Sequence, residues 1–271
     1  MNYKEEILKL KKELDVVLVA HFYQRDEVFE LADITGDSLE LAKKVMESDK
    51  EFVVFCGVGF MGESAKILNP QKRVLMPRIA CCAMARMIDE GYFLENLKKM
   101  NAAGISNDDI LPITYINSSA SVKARVGEMG GMVCTSSNAY KIIEKGLKSG
   151  KKIFFVPDRC LGQNFAKSLG LKSAVIGDGT NLKDADIICY NGFCSVHQQF
   201  NIDDIDFYRE KYPDIIVAVH PECDPSVCDK ADFVGSTSQL IKFIKELKKK
   251  KKVVVGTEFN MVNRLREKNT Y

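Results

Sequence analysis

Cys194 and His197 stand three residues apart in NGFCSVHQQF, residues 191 to 200, just past an Asn-Gly pair of the kind that marks a turn. A thiol and an imidazole so spaced can hold a metal, act as nucleophile and base, or simply fill core beside a loop. The chain has only 3 histidines, and the other two also sit beside proton-carrying side chains. His21 precedes Tyr23 in AHFYQ, and His220 precedes Glu222 in AVHPEC. A lone histidine among apolar residues is more often structural, but these pairs offer the donors and acceptors that general acid–base chemistry needs.

The 9 cysteines (56, 81, 82, 134, 160, 189, 194, 223 and 228) include no CxxC pair, and their number is odd. That combination argues against a disulfide framework, zinc ribbons, thioredoxin-like chemistry and clustered ferredoxin spacing. Composition narrows the setting further. With 46% hydrophobic residues, 28% charged residues and a net charge of +2, the chain is an ordinary globular protein with no nucleic-acid or membrane partner implied. The lysine run 248–252 is expected to be a solvated helix end. The start, MNYKEEILKLKKEL, is a charged amphipathic helix rather than a signal peptide, and no window reaches membrane-spanning length, so the expected location is the cytoplasm.

The elements that must position these residues alternate. Short β-branched runs (VVLVAH, FVVFCG, KRVLMP) are separated by helical patterns (FELADITGDSLELAKKVMES, GESAKIL), which predicts parallel sheets covered by helices. The order then recurs from LPITYIN and again from DIIVAVHPEC. The first strand of each pass ends in a polar cluster (AHFYQ, TYINSSA, AVHPEC), the second in a hydroxyl turn (GDS, TSS, GST), the third in FCGVGFM, VPDRCLG or VGTEFNM. This self-similarity predicts an α/β protein of three similar αβα units, pseudo-threefold about a central active site, over residues 1–88, 89–200 and an incomplete 201–271. Boundaries are approximate, since elements can be exchanged between units.

In such units ligands bind at the carboxyl ends of the strands. The hydroxyl turns place Ser38, Ser136, Ser137, Ser236 and Thr237 at helix N-termini, where each could be no more than a cap but where a shared phosphate or carboxylate site is favoured by the threefold recurrence. The closing segments of the first two units carry cysteine, IACCAMA and YNGFCSVH, so one thiol per unit could build a cluster without any local CxxC. His21, Tyr23, Tyr115, Asn117, His220 and Glu222 are expected to converge on one cavity.

Together AHFYQ, GDSLELAKK, FMGESAKILNP, ACCAMA, YINSSASVKA, CTSSNA, PDRCLG, NGFCSVHQQF, HPECDPSV, ADFVGST and GTEFNMVNRL resemble the quinolinate synthases, in order and over nearly the whole chain. The resemblance implies a cytoplasmic enzyme of NAD biosynthesis. Its members condense iminoaspartate with dihydroxyacetone phosphate to quinolinate, releasing phosphate and water, and use a 4Fe-4S cluster held by three cysteines. It implies a partner that supplies iminoaspartate, an aspartate oxidase or dehydrogenase.

Position by position, the resemblance makes Cys82 (in Cys82-Ala83-Met84-Ala85, hence not Cys81) and Cys194 cluster ligands. His21, Tyr23, His220 and Glu222 become catalytic groups, with Tyr23 a proton carrier in the later cyclisation and dehydration. Ser38, Tyr115, Asn117, Ser136, His197, Ser236 and Thr237 become substrate-binding groups. The family's third cluster ligand follows the GTE stretch, yet no cysteine follows Cys228, and the repeat period puts the equivalent position beyond residue 271. Cys223 and Cys228 are out of register for it. The chain is therefore expected to be C-terminally truncated, with substoichiometric iron and impaired activity. A non-catalytic α/β protein binding a small phosphorylated or dicarboxylate ligand is the alternative.

Overall fold

The structure, a computed structural model, describes residues 2–247 and 251–268; Lys248, Lys249 and Lys250 of the lysine run lie outside these. Among the described residues the strands form three sheets, and every recorded pairing is parallel. The first has the order β2-β1-β3-β4, with β1 Val16–His21, β2 Ile34–Gly36, β3 Phe52–Cys56 and β4 Arg73–Leu75. The second has the order β6-β5-β7-β9-β8, with β5 Ile110–Tyr115, β6 Met132–Cys134, β7 Lys152–Val156, β8 Ser173–Val175 and β9 Ile187–Cys189. The third is β11-β10-β12, with β10 Ile216–Val219, β11 Phe233–Val234 and β12 Val253–Gly256.

Each sheet repeats one plan, in which the first strand lies between the second and the third. Cys56, Val156 and Gly256, evenly spaced 100 residues apart, pair with Ala20, Thr114 and Val219. His21, Tyr115 and His220 each follow those partners by one residue and so occupy one register position in three copies. The parallel strands are apolar because helices cover both faces: β5 is buried along its whole length, and β7 and β1 are buried beyond their first residue. Phe93 and Phe154, ring centroids 5.4 Å apart, anchor one face of the second sheet. Val217, Val219, Cys223, Val227 and Cys228 form the smaller core of the third.

Two expectations are corrected locally. FELADITGDSLELAKKVMES is not one helical stretch, because the β-branched Ile34–Gly36 pairs with β1 instead. The helix Ser38–Glu47 starts only where Asp37 caps it, with reciprocal bonds between Asp37 and Glu40 of 3.0 and 3.2 Å. In the second copy Ser136 and Ser137 lie in a turn ahead of the helix Ala139–Leu147, whose flanking Asn138 turns its side chain back to accept from the Thr135 N–H at 2.7 Å. The helix Thr237–Glu246 ends before the lysine run, and Lys252 lies over the Tyr212 ring at 3.8 Å. By compactness the chain divides in two, one unit reaching Cys82 and joined by the segment from Glu258, the other running from Ala83 to Thr257. Among the described residues no helix is long and apolar enough to cross a membrane.

Candidate active site

The first and third copies end their leading strands in the same turn. The Tyr23 N–H donates to Nδ1 of His21 at 3.2 Å, and the Glu222 N–H donates to Nδ1 of His220 at 3.3 Å. The turn closes in each by a backbone bond three residues on, Gln24 to His21 and Cys223 to His220, at 2.9 and 3.0 Å. An accepting Nδ1 assigns the proton of a neutral imidazole to Nε2. Burial removes the water that would stabilise the cation, lowering His21 from 6.5 to about 4 and His220 to about 3. Both are therefore neutral Nε2–H donors at ordinary pH. Tyr23 is half-buried and meets His21 edge-on, centroids 4.6 Å apart.

In the unit from Ala83 to Thr257, five of the sequence-predicted residues come together. Glu222, 4% exposed, accepts from Nδ1 of His197 at 3.0 Å and from Tyr115, while Nε2 of His197 meets Thr257 Oγ1 at 3.1 Å. His220 stacks on His197 at 4.7 Å. Burial alone would raise the Glu222 carboxyl; the hydrogen bonds it accepts from His197 and Tyr115 work against that, and the net direction is below the usual carboxylate range. Asp158 behaves oppositely. It is fully buried, its Oδ1 caps the helix Arg159–Ser168 by accepting from Leu161 at 2.8 Å, and its Oδ2 meets no donor. Burial first, then the nearby Glu222 charge, raise it well above the usual range. Two carboxyls driven apart in this way are a proton holder and an anion, the arrangement that separates acid from base.

Cys194 lies in the same cluster, its sulfur within 4.8 Å of ligand atoms of His197 and Glu222. Its thiol is pushed up by burial and by Glu222, while the backbone N–H groups of His197 and Val196 pull it down. Cys82 matches it in register. An isolated parallel bridge joins Val58 to Ala80 and another joins Asp158 to Gly192, the cysteine following two residues on in each. The Gly59 N–H donates to Ala80 O at 2.9 Å, as the Arg159 N–H donates to Gly192 O at 2.8 Å. Gly192 is required there, since a Cβ would lie 2.4 Å from Pro157 O. Cys82 and Cys194 are half-buried, Cys81 is exposed, and Cys134, Cys160, Cys189, Cys223 and Cys228 are buried in packed surroundings.

Other predicted residues sit past the strand ends. Asn117 and Ser136 are half-buried beyond β5 and β6. Ser236 and Thr237 are buried, Ser236 capping its helix by accepting from Gln239 at 3.4 Å, and Ser38 opens the equivalent helix in the other unit. Sequence reasoning missed Asp158 and Thr257. The signal for Asp158 was the shared register of Val58, Asp158 and Glu258 just past the third strands, where two of three copies carry an acid; Thr257, at the position before, shares its register with Gly57 and Pro157 and had no such signal.

Three copies of a parallel β-α unit, with a buried carboxylate set among imidazoles at the strand ends, define an α/β protein whose strand ends carry groups able to hold and pass protons. Residues 5–271 match the family described as Quinolinate synthetase A protein. Quinolinate synthase of Helicobacter pylori is 57% identical over 269 residues, 98% of this chain and 80% of that protein. Those of Acidobacterium capsulatum and Haloarcula marismortui are 43% and 40% identical over 92% and 93% of this chain, each match spanning 70% of the relative. The chain belongs to the quinolinate synthase family.

Proposed function

We propose that the chain condenses iminoaspartate with dihydroxyacetone phosphate to give quinolinate, phosphate and water, as an enzyme of NAD biosynthesis. An aspartate oxidase or dehydrogenase is the class of enzyme that must supply the imine. What carries the reading is the ionised Glu222 held between His197 and Tyr115 beside the neutral His220. Enamine attack, phosphate elimination, isomerisation and dehydration all move protons on a small polyanion. Glu222 takes protons from carbon and nitrogen, and His220 donates from Nε2 to a carbonyl or hydroxyl oxygen, as a neutral imidazole can. His21 repeats that donor role, with Tyr23 carrying protons in the later steps. Tyr115, Asn117 and His197 orient the substrate, and Ser38, Ser136, Ser236 and Thr237 hold its carboxylate and phosphate oxygens.

The cysteines also suit the family's 4Fe-4S cluster. Two half-buried thiols in one register position, one of them receiving backbone N–H groups at sulfur, are a donor set that a cationic iron would convert to thiolate. Cys82 and Cys194 would hold it, and it would supply a Lewis acid for substrate oxygens. The test is to purify the chain anaerobically, reconstitute it with iron and sulfide, and measure both metals and quinolinate. Cys194→Ser and Cys82→Ser should lose iron while Cys81→Ser keeps it. A chain that binds dihydroxyacetone phosphate but takes up neither iron nor sulfide, and loses nothing when Cys82 and Cys194 are replaced, is a binding protein, and the reading fails.

A further inference from the structure

We propose that Asn164 and Arg264 are equivalent positioning residues, each clasping from a helix the carbonyls that bracket one proton-transfer side chain, Glu222 for Asn164 and Tyr23 for Arg264. The inference deepens the function above and rests on it for the catalytic roles of those two side chains.

Arg264 lies on the helix Phe259–Lys268 and is 9% exposed. Its Nη1 donates to Phe22 O at 2.9 Å and its Nη2 to Gln24 O at 2.6 Å, while Nε pairs with Asp26 at 2.6 Å and the guanidinium covers the Phe29 ring at 3.8 Å. Asn260, one turn earlier, donates to Tyr23 O at 3.3 Å. Asn164 lies on the helix Arg159–Ser168 and is 6% exposed. Its Nδ2 donates to Pro221 O at 2.8 Å and to Cys223 O at 2.9 Å.

The two clasps match position for position. Val156 and Gly256 hold one register in their sheets, and Asn164 and Arg264 each lie eight residues further on. Each reaches the first and third residues after a histidine that ends the leading strand: Phe22 and Gln24 after His21, Pro221 and Cys223 after His220. Different side chains thus deliver N–H groups to the same two carbonyls, which core packing alone does not require. Holding the carbonyls on both sides of Tyr23 and of Glu222 fixes the direction in which those side chains leave the backbone. It also keeps their N–H groups on Nδ1 of His21 and His220, so one clasp sets both members of each pair. In the first copy the same register position is Ser64, whose hydroxyl bonds Phe60 O of its own helix at 2.7 Å.

With 3 histidines in the chain, imidazole nitrogen NMR resolves each ring separately. Asn164→Ser, which puts at this position the residue the first copy carries, should shift His220 from a single Nε2–H tautomer to a mixture and leave His21 unmoved. Arg264→Lys, which keeps the charge facing Asp26, should do the reverse. Each should lower kcat by about 100-fold with KM little changed, the loss typical of a small misplacement of a reacting group. The tautomer readout needs no turnover, so failure of the proposed function, read from iron and sulfide uptake, leaves this test standing. Folded variants with unmoved tautomers and unchanged kcat overturn the proposal, as do variants in which both histidines move together. Should either variant lose its far-UV dichroism, Asn164→Asp and Arg264→Gln are read by the same criteria.

Discussion

Glu222 and Asp158 are both buried carboxyls, yet their surroundings shift their proton affinities in opposite directions. Glu222 receives His197 and Tyr115, whereas Asp158 has one oxygen committed to a helix cap and the other facing no donor. Glu222→Gln keeps the shape and a partner for His197 but cannot take a proton, so kcat should fall by roughly 10²- to 10⁴-fold with the melting temperature little changed. Asp158→Asn replaces a neutral acid by a neutral amide that can still accept the Leu161 N–H. Its effect on kcat should be at least about tenfold smaller than that of Glu222→Gln, and its stability at neutral pH should not fall. A loss as large as that of Glu222→Gln would show that Asp158 works as an anion.

The elements place those residues through caps and close approaches that can be tested one at a time. Asp89 caps the helix Glu90–Ala102 by accepting from Tyr92 at 2.8 Å, and that helix carries Phe93, Leu97 and Met100 into the second sheet's core. Asp89→Ala should cost about 1 kcal/mol in urea unfolding, as lost caps do, and leave catalysis intact. Phe154→Ala empties a fully buried ring position in the same core and should cost about 3–5 kcal/mol. Gly192→Ala acts differently. Its Cβ would press on Pro157 O, so the loop must shift, and the expected signature is reduced iron uptake through Cys194 with only modest destabilisation. Unchanged iron would place the Cys194 loop outside the control of that contact.

For the whole molecule, burial of neutral imidazoles couples folding to pH. Unfolded His21 and His220 take up protons as pH falls below 6.5, but in the fold they resist until about 4 and about 3. Their contribution to stability is present above pH 6.5 and is lost as pH falls towards 4, while the raised Asp158 works in the opposite direction over the same range. The two histidines together set a ceiling of about two protons' worth per pH unit, ~2.7 kcal/mol, on the loss of stability on acidification below pH 6.5, and Asp158 reduces it. Urea midpoints across that range measure it, and His21→Gln should flatten the slope. Much of this was legible in one dimension. Alternation of β-branched runs with helical patterns, the recurrence of His21, Tyr115 and His220 at strand ends, and the spacing of Cys82 and Cys194 are properties of local sequence, because strand period and repeat length do not depend on what packs nearby. The fold class and the strand-end places of Tyr115, His220 and Glu222 followed from them, whereas the roles of His197 and Cys194 came from the family resemblance. Thr257 against His197, Asp158 near Glu222, and the grip of Asn164 and Arg264 on distant turns were decided only by tertiary structure, since each joins segments tens to hundreds of residues apart. The same holds for charge: desolvation and the field of a facing group exist only once the chain has folded, and they make one carboxyl an anion and the other an acid.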